Sequence, residues 1–432
     1  MIRIINNQDY KAETLIETLL KRSQLNFKNV QDIVDNIIED VRHKKDEAVL
    51  EYTKQFDQAV LTVQTIKVTE NEIQEAYNTL DENFISILQR AADRIRLFHE
   101  KQKRNSWIAP DEKGTLLGQM VRPMERVGVY VPGGKAAYPS SVLMNVIPAQ
   151  VAGVHRIVMV TPPQKDGSVN PGVLVAAKIA GVTEIYKVGG AQAVAALAFG
   201  TETIPKVDKI VGPGNIFVTL AKRTVFGHVS IDSIAGPSEI LVVADDSANP
   251  VFVAADLLSQ AEHDELASAI LVTTSAKLAY AVKDELIRQT EKLSRKEIIT
   301  KSLKDFGAII IVNTIDEAIE ISNRIAPEHL EVCTREALSL LPKIKNAGAI
   351  FLGHYTPEPL GDYMAGPNHV LPTSGTAKFF SPLNVEEFMK KSSIIFFPEE
   401  ALKELSEDII NFAEAEALTA HANSVRVRFE ND

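Results

Sequence analysis

The sequence predicts an α/β protein with two tandem Rossmann-like parallel-sheet domains, a helical N-terminal region before them and a small helical C-terminal segment after them. Two observations predict this class. From about residue 120, short β-branched runs end in glycine or proline and lead into alanine-rich stretches, the alternation that strands and crossover helices of a parallel sheet produce. The chain also has 432 residues, more than one hydrophobic core usually serves, so we expect roughly two to four domains.

The four predicted segments follow one another along the chain. Residues 1–105 carry apolar residues at helical spacing among many charges, which predicts the helical N-terminal region. Residues 106–240 contain the strand-like runs VGVYV, RIVMV and EIYKV and form the first α/β domain. The pattern restarts in residues 241–375, where Asn249 is placed to cap a helix that begins at Pro250. Residues 376–432 are a tail whose helical stretch, from about Pro398 to Ala422, is too small to be a domain.

Composition and charge exclude several classes of function. The chain has 46 Lys and Arg against 57 Asp and Glu, a net charge of −11, and no basic run that would bind nucleic acid. Its single cysteine, Cys333, cannot form an internal disulfide, which suits a reducing compartment. The N-terminal stretch lacks the apolar core of a signal peptide, and no apolar run is long enough to cross a membrane. We therefore expect a cytoplasmic protein without nucleic-acid or membrane partners.

The run DLLSQAEHD places Gln260 and His263 three residues apart on a predicted helix. That spacing directs both side chains to one face, where they could bind a metal ion. Glutamine is an uncommon zinc ligand, and a lone histidine is more often a surface or core residue. The spacing alone therefore leaves both interpretations open.

The run RIAPEHLEV places Glu328 and His329 next to each other, between an amphipathic stretch and a probable strand. An imidazole titrates near neutral pH and can take a proton from an alcohol, and a carboxylate can activate water. The pair is a candidate acid–base pair. An ordinary helix-to-strand loop is the alternative.

Two further polar groups lie near the end of the chain. Residues 353–383 form a long loop rich in Gly and Pro that contains Asp362 and His369, and a loop of this length in a compact protein is usually functional or disordered. Its aromatic residues argue against disorder. Glu416 and His421 are five residues apart on a predicted helix and so do not share one face.

Four glycine-rich turns form a separate group, at residues 131–141, 188–197, 210–215 and 234–239. Each follows an apparent strand, and open α/β sheets bind ligands at the carboxyl ends of their strands. None matches GxGxxG with an acidic residue about 20 positions later. The sequence allows a nucleotide site there but lacks its usual fingerprint, and plain strand-to-helix turns are the alternative.

Nine short motifs, taken in order, resemble the histidinol dehydrogenases over nearly the whole chain from about residue 120. The motifs are YVPGG, GGAQA, VGPGN, AGPSE, SQAEHD, APEHLE, LGDY, AGPNHVLPT and EALTAH. The resemblance implies a zinc- and NAD-dependent enzyme that oxidises L-histidinol through L-histidinaldehyde to L-histidine, reducing two NAD in the last steps of histidine biosynthesis. A related zinc- and NAD-dependent amino-alcohol dehydrogenase is the alternative.

The resemblance also assigns roles to residues. It implies four ligands for one Zn²⁺ per subunit, namely Gln260, His263, Asp362 and His421, and a catalytic pair, Glu328 and His329. It implies NAD contacts in the first α/β domain at Tyr130, Gln192 and Asn215. Substrate would be held by Ser238, His369 and Glu416, together with His329 and the four zinc ligands. It further implies a homodimer in which the C-terminal tail completes the partner's site. Cys333, in an apolar run, is expected to be a packed residue without a covalent role.

Overall fold

The computed structural model describes residues 2–6, 14, 17–18, 28–133, 138–234 and 236–430. Its contacts divide the chain into two compact units. The first comprises Met1–Gln102 and Met124–Phe388, and the second comprises Lys103–Pro123 and Met389–Asp432. In the part of the chain that the structure describes, no helix is both long and apolar enough to cross a membrane.

Four helices make up most of the described N-terminal region. They are α1 (Lys28–Lys44), α2 (Asp46–Asp57), α3 (Glu70–Thr79) and α4 (Glu82–Glu100). A reciprocal capping box between Thr69 and Glu72 begins α3, and Asp81 caps α4. The buried face of α1, which includes Val34 and Val41, packs into the same core cluster as the first parallel sheet.

The first sheet has five parallel strands in the order β6-β5-β4-β7-β8. The strands are β4 (Arg126–Tyr130), β5 (Arg156–Thr161), β6 (Glu184–Lys187), β7 (Lys209–Val211) and β8 (Ser230–Ile231). Its helices are α5 (Pro139–Ala152), α6 (Pro171–Ala180), α7 (Gly190–Phe199) and α8 (Ile216–Val225). The chain builds outward from β4 through β5 to β6 and then returns to the other side of β4, so its switch point lies between β4 and β7.

The second sheet repeats this order with one added strand at an edge, β1-β11-β10-β9-β12-β13. The strands are β1 (Arg3–Asn6), β9 (Glu239–Ala244), β10 (Ser268–Thr273), β11 (Ala308–Ile311), β12 (His329–Cys333) and β13 (Ala349–Leu352). Its helices are α9 (Pro250–Ala261), α10 (Ala276–Thr290), α11 (Lys296–Asp305) and α12 (Ile315–Ile325), and Asn249 caps α9 as predicted. Two tandem Rossmann-like parallel sheets confirm the predicted fold class.

The N-terminal strand β1 was not predicted. It pairs in parallel with β11, Arg3 beside Ala308 and Asn6 beside Ile311. A four-residue run whose partner lies some three hundred residues later carries no local signal beyond its two isoleucines. Long-range pairing decides its structure, since β-propensity depends on context.

The second unit contains an antiparallel sheet in the order β14-β3-β2, and the sequence did not indicate this sheet. Its strands are β2 (Trp107–Pro110), β3 (Leu116–Pro123) and β14 (Met389–Phe396), and its helices are α13 (Glu399–Ala415) and α14 (Thr419–Arg426). β14 pairs with β3 along its whole length, from Met389 beside Pro123 to Phe396 beside Leu116. The four segment boundaries proposed from the sequence remain predictions.

Candidate active site

A cleft of about 1070 Å³ lies at the carboxyl ends of the first sheet's strands. Tyr130, the last residue of β4, lines it together with Gln192 and Asn215. Gln192 is in the first turn of α7, and Asn215 caps α8 by accepting hydrogen bonds from the backbone N–H groups of Phe217 and Val218. The structure thus brings together the three residues that the sequence assigned to NAD.

The turn that leads from β7 to Asn215 depends on close backbone approach at Gly212, whose φ is +117°. A Cβ there would lie 2.0 Å from the carbonyl oxygen of Tyr130, so only glycine fits. Lys222 Nζ donates to the Gly212 carbonyl at 3.0 Å, and the Gly212 N–H donates to Asp232 Oδ2 at 2.8 Å. Lys222 and Asp232 are buried and form an ion pair. This pair, the Gly212 clamp, fixes the turn that leads to Asn215.

Two polar side chains in the cleft have unmet hydrogen-bonding capacity. Gln192 is 1% exposed, and neither of its amide atoms has a hydrogen-bond partner among the described residues. The Tyr130 hydroxyl accepts a hydrogen bond from the Gly190 N–H at 3.1 Å, and burial raises the pKa of this phenol to about 12. Because buried polar groups are almost always paired, the Gln192 amide indicates that a polar ligand binds in the cleft.

A second polar cluster lies at the amino end of the other sheet, where His329 begins β12 and Glu239 begins β9. The His329 ring is buried, and its Nδ1 donates to the Glu239 carbonyl at 3.0 Å. That hydrogen bond assigns the proton of the neutral ring to Nδ1. Nε2, for which the described part of the chain offers no hydrogen-bond partner, is left to accept a proton. Burial lowers the pKa of His329 to about 4. The ring is therefore neutral near pH 7, so Nε2 can accept a proton, and burial makes it a weaker base than a free imidazole.

Glu328 precedes His329 and points into the same cluster. Its Oε2 accepts a hydrogen bond from the Glu239 N–H at 2.9 Å and lies 3.7 Å from His329 Nδ1. Burial raises the pKa of this carboxyl well above its usual value, and the charges of Glu239 and Asp362 add to that effect. A raised pKa makes Glu328 a stronger base once it is ionised.

Glu358 is a member of the cluster that sequence reasoning missed. Its Oε1 lies 3.8 Å from His329 Nε2, Ser259 Oγ donates to its Oε2 at 3.2 Å, and its N–H donates to Glu331 Oε1 at 2.8 Å. Burial raises its pKa to about 8, and Asp362 contributes to the shift. The one available signal was its helical spacing, four residues before Asp362.

Asp362 and His369 come from the long loop that the sequence marked as ordered. Asp362 lies in a π-helical turn, Gly361–Ala365. This conformation is rare in proteins as a whole but frequent at functional sites. Asp362 Oδ1 is 3.6 Å from His369 Nδ1, a buried atom that no described residue meets with a hydrogen bond. Burial lowers the pKa of His369. Ligating atoms of His329, Glu358 and Asp362 lie within 4.8 Å of one another.

Gln260 and His263 do not share one helix, contrary to the prediction. Helix α9 ends at Ala261, so Gln260 lies in its last turn and His263 in the turn beyond it. Gln260 is fully buried, and neither of its amide atoms has a hydrogen-bond partner in the part of the chain that the structure describes, whereas His263 is exposed. His263 still lies near the cluster, because its charge contributes to the lowered pKa of His329 and His369.

These donors fit a metal ion. In the described part of the chain, none of Glu328, Glu358 and Asp362 forms an ion pair with lysine or arginine. Carboxylates buried close together without a counter-charge are unstable unless they take up protons or bind a cation. Imidazole, carboxylate and amide donors together suit a first-row divalent ion.

Ser238 lies half-buried just before β9, and its carbonyl accepts a hydrogen bond from the Ser268 N–H at 3.0 Å. It belongs to the fourth glycine-rich turn. This turn connects the short β8 of the first sheet to β9 of the second sheet. Gly134 of the first glycine-rich turn and Ala235 of the fourth lie outside the described residues.

Glu416 and His421 lie in the second unit, on either side of a helix break. The predicted single helix is two helices, because α13 ends at Ala415 and Ala417 takes a left-handed φ of 59° before α14 begins. Both side chains line one hollow of about 450 Å³, with Ile409 and Phe412 among its other walls. The break therefore brings together two residues that one continuous helix would have separated.

Comparison with known proteins identifies the family. The family model for histidinol dehydrogenase matches residues 20–429. A histidinol dehydrogenase of Caldanaerobacter subterraneus is 60% identical over 418 residues, covering 97% of each chain. One from Clostridium acetobutylicum is 56% identical over 430 residues, covering 100% of this chain and 99% of the relative. The chain belongs to the histidinol dehydrogenase family.

A solved structure agrees. The crystal structure of the histidinol dehydrogenase from Elizabethkingia anophelis is 40% identical to this chain, superposes with a TM-score of 0.94, and matches 100% of this chain and 98% of its own. The chain is therefore an oxidoreductase of this family, with a metal-compatible cluster and a nucleotide-sized cleft in its first unit.

Proposed function

We propose that the protein oxidises L-histidinol through L-histidinaldehyde to L-histidine with two molecules of NAD, as the last steps of histidine biosynthesis in the cytoplasm. One observation carries the proposal beyond family membership. His329 is held by the Glu239 carbonyl, and its Nε2 lies 3.8 Å from Glu358 Oε1 and has no hydrogen-bond partner among the described residues. This is the environment that a base for an alcohol requires.

In the proposed reaction, His329 takes the hydroxyl proton of histidinol at Nε2. The aldehyde that results must be hydrated before its second oxidation, and Glu328 is placed to take a proton from the incoming water. Ser238, His369 and Glu416 hold the substrate in this scheme.

Gln260, His263 and Asp362, with His421, are the proposed ligands of one Zn²⁺ per subunit. A bound zinc ion would orient the imidazole and amine of histidinol, both of which are good ligands for it. The orphaned amide of Gln260 supports its place in this set, because no described protein group satisfies either of its polar atoms.

Tyr130, Gln192 and Asn215 are the proposed contacts to NAD, which accepts a hydride in each half-reaction. The cleft supports this assignment by its position, because dinucleotides bind at the carboxyl ends of strands beside a switch point. The N-termini of α7 and α8 also favour an anionic ligand there.

The direct test is the appearance of NADH absorbance when histidinol is added to the zinc-loaded protein. We expect two NADH per histidinol consumed, and much slower reduction with amino alcohols that lack the imidazole. Faster turnover of such an amino alcohol than of histidinol would favour the alternative, a related dehydrogenase with a different substrate.

We also propose a homodimer in which the tail, with Glu416 and His421, completes the partner's site. Large apolar side chains of the second unit are exposed in the single chain, including Trp107 at 54%, Ile395 at 71% and Phe412 at 71%. A unit with so small a core does not bury these residues by itself, which supports a partner surface over them.

Subunit exchange tests the shared site. Inactive His421→Ala protein mixed with inactive His329→Ala protein should regain activity, because each heterodimer would contain one site with both residues intact. Exchange is verified by mass spectrometry of tagged subunits. Parental activity after proven exchange would mean that the tail closes over its own chain.

A further inference from the structure

Asp57, the last residue of α2, lines the cleft of the first sheet and has no assigned role. Its Oδ2 is buried, and no hydrogen-bond partner for it exists among the described residues. The charge of Asp57 contributes to the raised pKa of the nearby Tyr130 phenol. A buried carboxylate oxygen without a partner is costly, so its retention at the wall of a binding cleft points to a ligand.

The local backbone makes this position more unfavourable still. A negative charge at a helix C-terminus opposes the helix dipole, and Gln58 directly after it takes a left-handed φ of 58°. Burial raises the pKa of Asp57 to about 6. No described residue offsets the burial of this carboxylate or its unfavourable position at the helix C-terminus. Unfavourable features of this kind are typical of groups that bind a ligand.

The cleft shows which part of a dinucleotide lies beside Asp57. Every lining residue falls between Ile37 and Phe217, and none belongs to the cluster around His329. The nicotinamide must reach the reacting carbon at that cluster, so the cleft holds the other half of the cofactor. Among the described residues that line it, Lys165 is the one lysine and there is no arginine, a poor set for an additional phosphate.

We propose that the Asp57 carboxylate accepts hydrogen bonds from the adenosine ribose hydroxyls of NAD and rejects the 2′-phosphate of NADP. The inference rests on the proposed use of NAD. It adds that Asp57 is the residue that discriminates NAD from NADP. In Rossmann folds an acidic residue about 20 positions after the glycine-rich turn has this role. Here the acid precedes the first sheet and comes from helix α2, which explains why the sequence lacked the usual fingerprint.

The test measures binding of NADH and NADPH to the full-length protein by fluorescence titration without histidinol. The variants are Asp57→Asn, which keeps the shape and removes the charge, and Asp57→Ala, which removes both. Glu51→Gln is the control, because Glu51 is an exposed acid on the same helix outside the cleft lining. Circular dichroism checks that every variant is folded.

We expect the wild type to bind NADH in preference to NADPH. Asp57→Ala should weaken NADH binding by about tenfold, the loss expected for a charge-assisted hydrogen bond, without weakening NADPH binding. Both Asp57 variants should lower the NADH-to-NADPH affinity ratio by about tenfold, and Glu51→Gln should leave it unchanged. An unchanged ratio in both folded Asp57 variants would overturn the inference.

Competition experiments identify the ribose. Displacement of NADH by AMP should weaken in Asp57→Ala, whereas displacement by nicotinamide mononucleotide should not. The reverse result would place Asp57 at the nicotinamide ribose and overturn the adenosine assignment. If the wild type binds neither NADH nor NADPH, the proposed use of NAD itself fails, an outcome distinct from any effect of the Asp57 variants.

Discussion

The two parallel sheets have the same strand order but carry their sites at opposite ends. The first has its cleft at the carboxyl ends of β4 and β7, whereas the second gathers its polar cluster where β9 and β12 begin. Helices α7 and α8 begin at the first site, whereas α9 ends at Ala261, between Gln260 and His263, and α12 ends at Ile325, shortly before His329. Helix N-termini favour anions and C-termini favour cations.

The difference teaches that one topology can serve two kinds of ligand. The positive helix ends of the first sheet suit the phosphates of a dinucleotide, and the negative ends beside the second suit a metal ion. Fold topology alone would have placed both ligands at carboxyl ends. Side-chain chemistry therefore has to be examined at both ends of each sheet.

The largest effect is expected from substitution of the proposed zinc ligands, which should remove the metal from the second site and leave the first site intact. His263→Ala and Asp362→Ala should each lose bound zinc and more than about 100-fold in activity while NADH binding persists. His354→Ala is the matched control, because His354 lies in the same loop but contacts Ser247. Elemental analysis of the purified proteins checks the result, and full zinc content in both variants would contradict the ligand assignment.

Glu328→Gln sharpens the comparison within the second site. Only oxidation of the aldehyde requires hydration, so that step should slow by about 100-fold and oxidation of the alcohol by much less. Single-turnover measurements started from histidinol and from histidinaldehyde separate the steps. Equal losses in both would mean that Glu328 does not act on water alone.

Breaking the Gly212 clamp should damage the first site and spare the second. Lys222→Met leaves Asp232 buried without its partner, so we expect a loss of about 3 kcal/mol in stability and about tenfold weaker NADH binding. Zinc content should be unchanged. Denaturant unfolding and NADH titration measure both effects, and normal NADH affinity in a destabilised variant would assign the clamp to folding only.

The Asp57 carboxyl should also make stability depend on pH. Its pKa in the folded protein, about 6, exceeds the usual 3.8, so its contribution is fully present below about pH 4 and is lost as the pH rises through 6. Asp57→Asn should therefore be more stable than the wild type by about 1–2 kcal/mol at neutral pH, and this difference should vanish in acid. Unfolding curves across this range check the prediction, and a constant difference would contradict it.

The smallest effect is expected at Cys333. The thiol is 6% exposed, and burial raises its pKa far above the usual range, so it does not supply a thiolate nucleophile. Cys333→Ser should retain most turnover in both half-reactions. Loss of the aldehyde-to-acid step alone, in a folded protein, would instead point to a thiohemiacetal on sulfur.

The sequence by itself determined the elements with strong local signals. Alternating β-branched runs and alanine-rich stretches specified both parallel sheets, and Asn249 before Pro250 specified the start of α9. The motifs also identified the family and most candidate residues. Glu328 and His329, for example, follow a left-handed Ala326 that ends α12, so their placement at the start of β12 follows from the local sequence.

Tertiary structure decided whatever depends on residues far apart in the chain. β1 and β14 are strands because they pair with β11 and β3, which lie hundreds of residues away in the chain. The local sequence pattern does not indicate such long-range pairing. Glu358 and Asp57 belong to the two sites only because the fold buries their carboxyls there. Local patterns encode helices and strands, whereas burial and the distance between side chains exist only after the chain has packed.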